Sequence, residues 1–163
     1  FARPGHRAKH NLNYWMFGDY LGIGAGAHGK ISFRDRIVRT ERERKPQTYQ
    51  SAALGGTAEQ VKREVTEDEL PFEFMLNAMR LVDGFPVTLF AERTGLPVTA
   101  IEPQLAKAES LGLVHRDHAR IGPTPKGERF LNDLLELFLP SSTAPRRAAI
   151  PISISSPGTS RPS

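Results

Sequence analysis

From Thr66 to Pro140 the chain is cut at short intervals by glycine and proline, and each interval carries apolar residues at helical spacing. That punctuation excludes long elements and constrains the fold of this stretch more than any other feature. Thr66-Glu67-Asp68-Glu69 has the form of a capping box. Inside a helix Pro71 would remove a hydrogen bond, so it is placed at the first helical position, behind acids that favour the positive helix end. Phe72, Met75, Leu76, Met79 and Val82 then form a core-facing stripe ended by Gly84. A short helix over residues 86–94 is closed by Gly95 at its C′ position. A third, over residues 98–111, puts Ile101, Leu105, Ala108 and Leu111 on one face and stops at Gly112.

Residues 113–116 and 119–122 read as a two-stranded wing around Asp117-His118. Thr124-Pro125 opens a last helix as N-cap and first-position proline. Its stripe is Phe130, Leu131, Leu134, Leu135 and Phe138, and Pro140 ends it. Three helices, a hairpin and a helix predict a small winged-helix-like α+β domain over residues 64–139. From residue 140 the composition turns to Ser, Pro, Arg and Thr with little apolar content. Such a tail cannot bury enough surface to offset its ordering entropy, so residues 140–163 are expected to be disordered.

The N-terminal residues 1–63 read differently. Tyr20 to Ala27 alternates small and apolar residues, which predicts a buried strand whose glycines allow close approach to the backbone. Residues 30–33 and 36–40 predict a hairpin across Arg34-Asp35. Residues 45–54 predict a short helix before Gly55-Gly56, taken as the linker between the two units.

Charge follows the same division. Residues 1–63 hold 12 Lys and Arg against 5 Asp and Glu (+7), residues 64–139 hold 7 against 13 (−6), and residues 140–163 hold 3 against none (+3). A winged-helix reader of DNA needs cations on its recognition helix. Here residues 98–111 carry Glu102 and Glu109 against a single Lys107, so the unit reads as a structural or lid module and no nucleic-acid partner is expected. The chain has no Cys, which rules out a disulfide framework, suits a reducing cytosol and leaves no thiolate for an iron–sulfur cluster. No apolar run is long enough to span a membrane, and Phe1 opens on a polar basic segment without the apolar core of a signal peptide. Because residue 1 is not Met, the chain is expected to start inside a longer reading frame.

The segment HNLNYWMFGDYLGIGAGAHGK, residues 10–30, concentrates the chemistry: the only Trp, two of the three Tyr, two of the five His and five of the fourteen Gly. His10 is a candidate metal or haem-iron ligand, against the alternative of a surface imidazole stacked on a ring. Tyr14 and Trp15 are candidates to flank a flat macrocycle, although by residue type alone plain core packing is favoured. Gly22, Gly24 and Gly26 lack the spacing of a dinucleotide fingerprint, and GKISF after them looks like strand rather than helix. They read as allowing close approach of an organic cofactor, or as barrel packing, with His28 a second polar candidate. No nucleophile–base set can be assembled, so no catalytic residue is assigned, and the His residues are too scattered for a structural zinc site.

PGHRAKHNLNYWMFGDYLGIGAGAHGKI resembles the C-terminal half of the radical-SAM proteins related to oxygen-independent coproporphyrinogen III oxidase. Within that family it is similar to the HemW-type haem chaperones, whose hallmark H-N-x-x-Y-W stands here as His10, Asn11, Tyr14 and Trp15. GDYLGIGAGAHG and the closing LNDLLELFL also match, so the likeness covers residues 1–139. The resemblance implies an α/β fold, with the last strands of a partial (β/α) barrel in residues 1–63 followed by the winged-helix-like domain. It implies haem binding with His10 as candidate iron ligand, Asn11, Tyr14 and Trp15 beside it, and Gly22, Gly24, Gly26 and His28 on the cofactor side. It further implies a cytoplasmic protein that delivers haem to an acceptor, with peripheral contact to membrane respiratory proteins. The full-length family carries a 4Fe-4S cluster and S-adenosylmethionine, but its C-x-x-x-C-x-x-C motif has no counterpart here. The chain is therefore expected to be a C-terminal fragment that is not catalytic alone. Oxidative decarboxylation of coproporphyrinogen III is the alternative within the family, and a winged-helix nucleic-acid module the alternative outside it.

Overall fold

The computed structural model of the chain describes residues 9–56 and 59–140, the side chains of Lys9 and of residues 59–61 excepted. The tail from residue 141 onward, expected to be disordered, lies outside the described residues.

The first helix, α1, is Lys9–Trp15. Its two Asn residues are weak helix formers, and seven residues are too few to hold a helix in water. Leu12 and Trp15 pack against the hydrophobic core, and that contact outweighs the local preference. The expected hairpin follows as β1, His28–Ser32, and β2, Ile37–Arg42, closed by the Phe33 N–H donating to the Arg36 carbonyl at 2.8 Å. Helix α2, Pro46–Leu54, forms where expected but buries no residue, and Gly55 and Gly56 end it. The chain then returns as β3, Glu59–Val65, to pair with β2. Gly55-Gly56 thus lies inside the connection between two strands of one sheet, and the chain leaves that sheet only after Val65. The order is β1-β2-β3, antiparallel throughout, with Lys30 opposite Arg39 and Arg39 opposite Arg63.

The strand expected over residues 20–27 does not form. Tyr20 alone pairs, in a single bridge to Lys30. Beyond it Gly24 and Gly26 adopt φ of 105° and 68°, which no extended strand tolerates, and Leu21 and Ile23 are 70% and 85% exposed. The alternation of small and apolar residues marks a glycine-hinged loop.

The second unit runs through α3 (Leu70–Ala78), β4 (Phe85–Pro86), α4 (Val87–Thr94), a 3-10 turn (Val98–Ile101) and α5 (Glu102–Ser110). It closes with β5 (Val114–Arg116), β6 (Arg120–Pro123), α6 (Pro125–Arg129) and α7 (Leu131–Glu136). Strands β5 and β6 are the expected hairpin, and the two-residue β4 adds a third antiparallel strand in the order β4-β6-β5. Ahead of α3, Glu69 reaches back to the Thr66 N–H at 3.1 Å, as the capping-box pattern requires. The α3 stripe is shifted from expectation. Phe74, Met75, Ala78 and Met79 are buried, Phe72 and Leu76 are half-buried, and Val82 is 55% exposed because the helix ends a turn before it. The single last helix is likewise two, broken at Phe130, whose φ and ψ of −110° and 43° leave the helical region.

One core serves both units. Phe74 of α3 meets Phe85 and Phe90 edge-to-face at 5.1 and 5.2 Å, and from the N-terminal side Phe17 joins it at 5.6 Å. Ile101, Leu105, Ala108, Ile121 and Leu134 are among the other residues of this buried set.

Candidate functional site

Helical spacing divides α1 into three faces. His10 and Tyr14 lie one turn apart on one face, Asn11 and Trp15 on the next, and Leu12 with Met16 on the side opposite His10. His10 and Asn11 are exposed, while Tyr14 and Trp15 are half-buried. Among the described residues the side chains of His10 and Asn11 have no hydrogen-bond or ion-pair partner. Tyr14 stands edge-on to Tyr20, ring centroids 4.3 Å apart. Tyr20 accepts a 2.6 Å hydrogen bond from Arg39, which also pairs with Glu73 of α3. Arg63 of β3 reaches the same Glu73 at 3.4 Å and pairs with Glu69. A chain of contacts thus runs from the aromatic of α1, through the first sheet, to the start of the second unit.

The exit of α1 is tightly specified. Phe17 adopts φ of 56°, a left-handed conformation that costs a bulky residue of order 1–3 kcal/mol and persists because the core holds its ring. The Gly18 N–H donates to the Asn13 carbonyl at 2.7 Å, and a Cβ on Gly18 would stand 2.0 Å from Asn13 Oδ1. The Asn13 side chain in turn donates to the Asp19 carbonyl at 2.8 Å. Below this turn lies Lys30, its side chain 1% exposed, donating to Asp19 Oδ1 and Ser32 Oγ at 2.8 Å each. Its ammonium also sits 4.3 Å from the centre of the Phe17 ring. Burial holds the Lys30 ammonium below its ordinary value, against the hydrogen bond and charge of Asp19. Desolvation pushes the Asp19 carboxyl up, but the bonds from Lys30 and Ser32 outweigh it and leave the group below the usual carboxylate range.

Gly22, Gly24, Gly26 and His28 lie on one loop, which brings Gly22 against the His28 backbone. Gly22 is buried with the His28 carbonyl oxygen 2.4 Å from where a Cβ would lie, so this close approach is made by the loop's own backbone. Arg42 donates to the Gly22 carbonyl at 2.6 Å, the Gly26 N–H to the Glu43 carbonyl at 2.7 Å, and the Gly24 N–H to the Tyr49 hydroxyl at 3.3 Å. His28 opens β1 and is exposed.

A cleft of about 230 Å³ lies between Leu12 of α1 with Met16 just beyond it and Leu81, Asp83, Gly84, Pro86 and Arg120. It is smaller than the ~300 Å³ at which small-molecule pockets begin, and it borders the side of α1 opposite His10. No group of three or more His, Cys, Asp or Glu positioned for a metal ion occurs among the described residues.

Reasoning from sequence missed Lys30, Asp19, Phe17, Arg39 and Glu73. A Lys in a short strand is ordinarily solvated, and nothing local marks Lys30 as buried.

Residues 65–138 match the family model of the HemN C-terminal domain. The chain is 44% identical over 142 residues to heme chaperone HemW of Escherichia coli (strain K12), covering 85% of this chain and 36% of that protein. With the same shares it is 39% identical over 140 residues to heme chaperone HemW of Haemophilus influenzae and 33% over 142 residues to that of Bacillus subtilis (strain 168). It therefore spans about a third of the length of the curated relatives it matches, 36% of each. Among solved structures it is similar to coproporphyrinogen III oxidase (HemN) from Escherichia coli, described as a radical SAM enzyme. There the TM-score is 0.52 at 19% identity, over 74% of this chain and 28% of that one, a likeness of fold.

Proposed function

We propose that this chain, whose residues 65–138 match the model of the HemN C-terminal domain and which is similar to the HemW heme chaperones, belongs to a protein that binds haem and passes it to an acceptor protein. The observation that carries the reading is the H-N-x-x-Y-W run folded as α1, with the His10 imidazole open to solvent one turn from the Tyr14 ring. An imidazole on an exposed helix would offer a single bond to the iron without enclosing the macrocycle. That arrangement suits cargo that must leave, because an acceptor's own ligand can replace a single accessible bond. Tyr14 and Trp15 offer ring surface beside it, and Asn11 a polar edge. In this reading Gly22, Gly24, Gly26 and His28 line the side that faces cluster and S-adenosylmethionine in the whole protein, whose thiolates this chain does not supply.

Two finer readings of the fold belong here. Residues 1–63 are read as the last strands of a partial (β/α) barrel, a reading that rests on the sequence likeness, since such a barrel is parallel and the described strands of this region, β1, β2 and β3, pair antiparallel. The order α3–β4–α4–α5–β5–β6 with a three-stranded sheet supports the reading of residues 64–139 as a winged-helix-like unit. Its acids do not suit a duplex. Arg116 of β5 is held by Glu102 at 2.7 Å and Glu109 at 3.0 Å, so this cation of the hairpin is already neutralised and does not face phosphates alone. A structural or lid role fits better. No helix among the described residues is long and apolar enough to cross a membrane, and a cytoplasmic protein meeting respiratory acceptors at the membrane surface fits this reading.

Coproporphyrinogen III oxidation is the weaker reading, because the likeness to that enzyme is one of fold at 19% identity while the 44% likeness is to a heme chaperone. Haem titration into the 163-residue chain tests the choice. The expected result is a Soret shift that His10→Ala abolishes. An unshifted spectrum in the wild type, or an unchanged shift in His10→Ala, would exclude His10 as the haem ligand.

A further inference from the structure

We propose that Lys30 is a positioning residue: its buried ammonium sets how α1 seats on the first sheet, and so where His10 and Tyr14 point. The proposal deepens the haem-contact reading and rests on it.

Every donor direction of the Lys30 ammonium is occupied. Asp19 Oδ1 and Ser32 Oγ accept at 2.8 Å each, and the Phe17 ring lies 4.3 Å away. Ser32 Oγ donates to the same Asp19 oxygen at 2.7 Å, closing the triangle. With nothing left to offer a ligand, the group acts through its partners. Those partners are the exit of α1: Phe17 and Asp19 follow Trp15 by two and four residues. Lys30 is also the residue whose backbone pairs with Tyr20 in both directions, at 2.9 Å each, and the Tyr20 ring carries Tyr14. One residue of β1 therefore holds the turn below α1 by its side chain and the ring beside α1 by its backbone.

Stability does not demand an ammonium here. A buried ion pair replaced by apolar side chains of similar volume is often neutral or stabilising. What the ammonium supplies is direction, since three fixed partners are satisfied together in one seating of the turn, whereas a methyl group is satisfied in many. Asp19 is 46% exposed, so removing Lys30 leaves a carboxylate that water can solvate and no orphaned buried charge.

Trp15, the only Trp of the chain, lies on α1 and reports that seating with no haem present. Lys30→Met keeps the length of the side chain and removes the charge. It is expected to unfold cooperatively near the wild-type temperature, while Trp15 emission moves to the red and acrylamide quenches it more strongly. Haem affinity should fall about tenfold, equivalent to about 1.4 kcal/mol. Unchanged Trp15 emission and quenching in folded Lys30→Met would overturn the proposal whether or not haem binds. So would moved Trp15 emission with haem binding that remains His10-dependent and of wild-type strength. If Lys30→Met does not fold, Asp19→Asn decides: the same Trp15 shift supports the proposal, and wild-type emission rejects it. Absence of a Soret shift in the wild type would count against the haem reading alone, because the Trp15 measurement still decides whether Lys30 seats α1.

Discussion

The Lys30–Asp19 pair fixes a pH dependence with two signs. Asp19, held below its ordinary value of 3.8, contributes stability that is present above that value and lost as the pH falls through the lower folded one. Lys30 is held below its ordinary 10.5 by burial, so between its folded value and 10.5 the unfolded chain binds the extra proton and stability rises with pH. Comparing unfolding midpoints of the wild type and Lys30→Met isolates both contributions. The difference should shift against the wild type below about pH 4 and in its favour as the pH climbs toward about 10. A difference that is flat across that range would mean the pair does not form. At this scale the sequence was legible in part. His10, Asn11, Tyr14 and Trp15 stand out by type and spacing, whereas Lys30 and Arg39 look like ordinary cations of a basic half. Their partners Asp19 and Glu73 are 11 and 34 residues away, beyond the reach of any local pattern.

Among the elements, those closed by backbone chemistry were legible and those decided by packing were not. Gly95 ends α4 in the left-handed conformation at φ 75°, and Thr124 caps α6 by accepting the Gly127 N–H at 3.0 Å, both as their residue types predict. Thr124 Oγ1 also donates to the Gly112 carbonyl at 2.7 Å, tying the helix start to the end of α5. Thr124→Ala should therefore cost about 1 kcal/mol or somewhat more in chemical denaturation. Gly127 carries the sharper prediction. In a free helix Gly→Ala gains about 1 kcal/mol, but here the added Cβ would stand 1.9 Å from the Leu113 carbonyl oxygen. Gly127→Ala is expected to destabilise by about 1–3 kcal/mol, and a stabilised variant would refute the close approach of α6 to β5. The strand read over residues 20–27 failed because alternation of small and apolar residues is also what a glycine-hinged loop shows. The shift of the α3 stripe has a similar origin: Phe74 turns inward to three other Phe rings, a choice its own helix does not make.

The molecule as a whole joins a basic half to an acidic one, and the join uses that difference. Arg39 and Arg63 of the first sheet meet Glu69 and Glu73 at the start of the second unit, Arg39 and Glu73 both half-buried. A double-mutant cycle with Arg39→Ala and Glu73→Ala should return a coupling energy between about 0.5 and 3 kcal/mol. A coupling of zero would leave Arg63 and the apolar contacts of Leu12, Trp15, Phe17, Ile37 and Val65 to join the two. Because Arg39 also holds the Tyr20 hydroxyl, loss of this coupling should move Trp15 emission as well.

By itself the sequence determined the order of the helices and hairpins in residues 66–140, the first-sheet hairpin, and the H-N-x-x-Y-W run with its likeness to haem chaperones. These rest on glycine, proline, caps and a motif, whose chemistry acts within a few residues. Only the tertiary structure decided that α1 is a helix, that residues 21–27 are a loop, that β3 returns to the first sheet, and that Lys30 is buried under α1. Each of these is set by contacts between distant segments, where the energy of burying Trp15, Phe17 and the Lys30 ammonium outweighs the local preference of the residues involved.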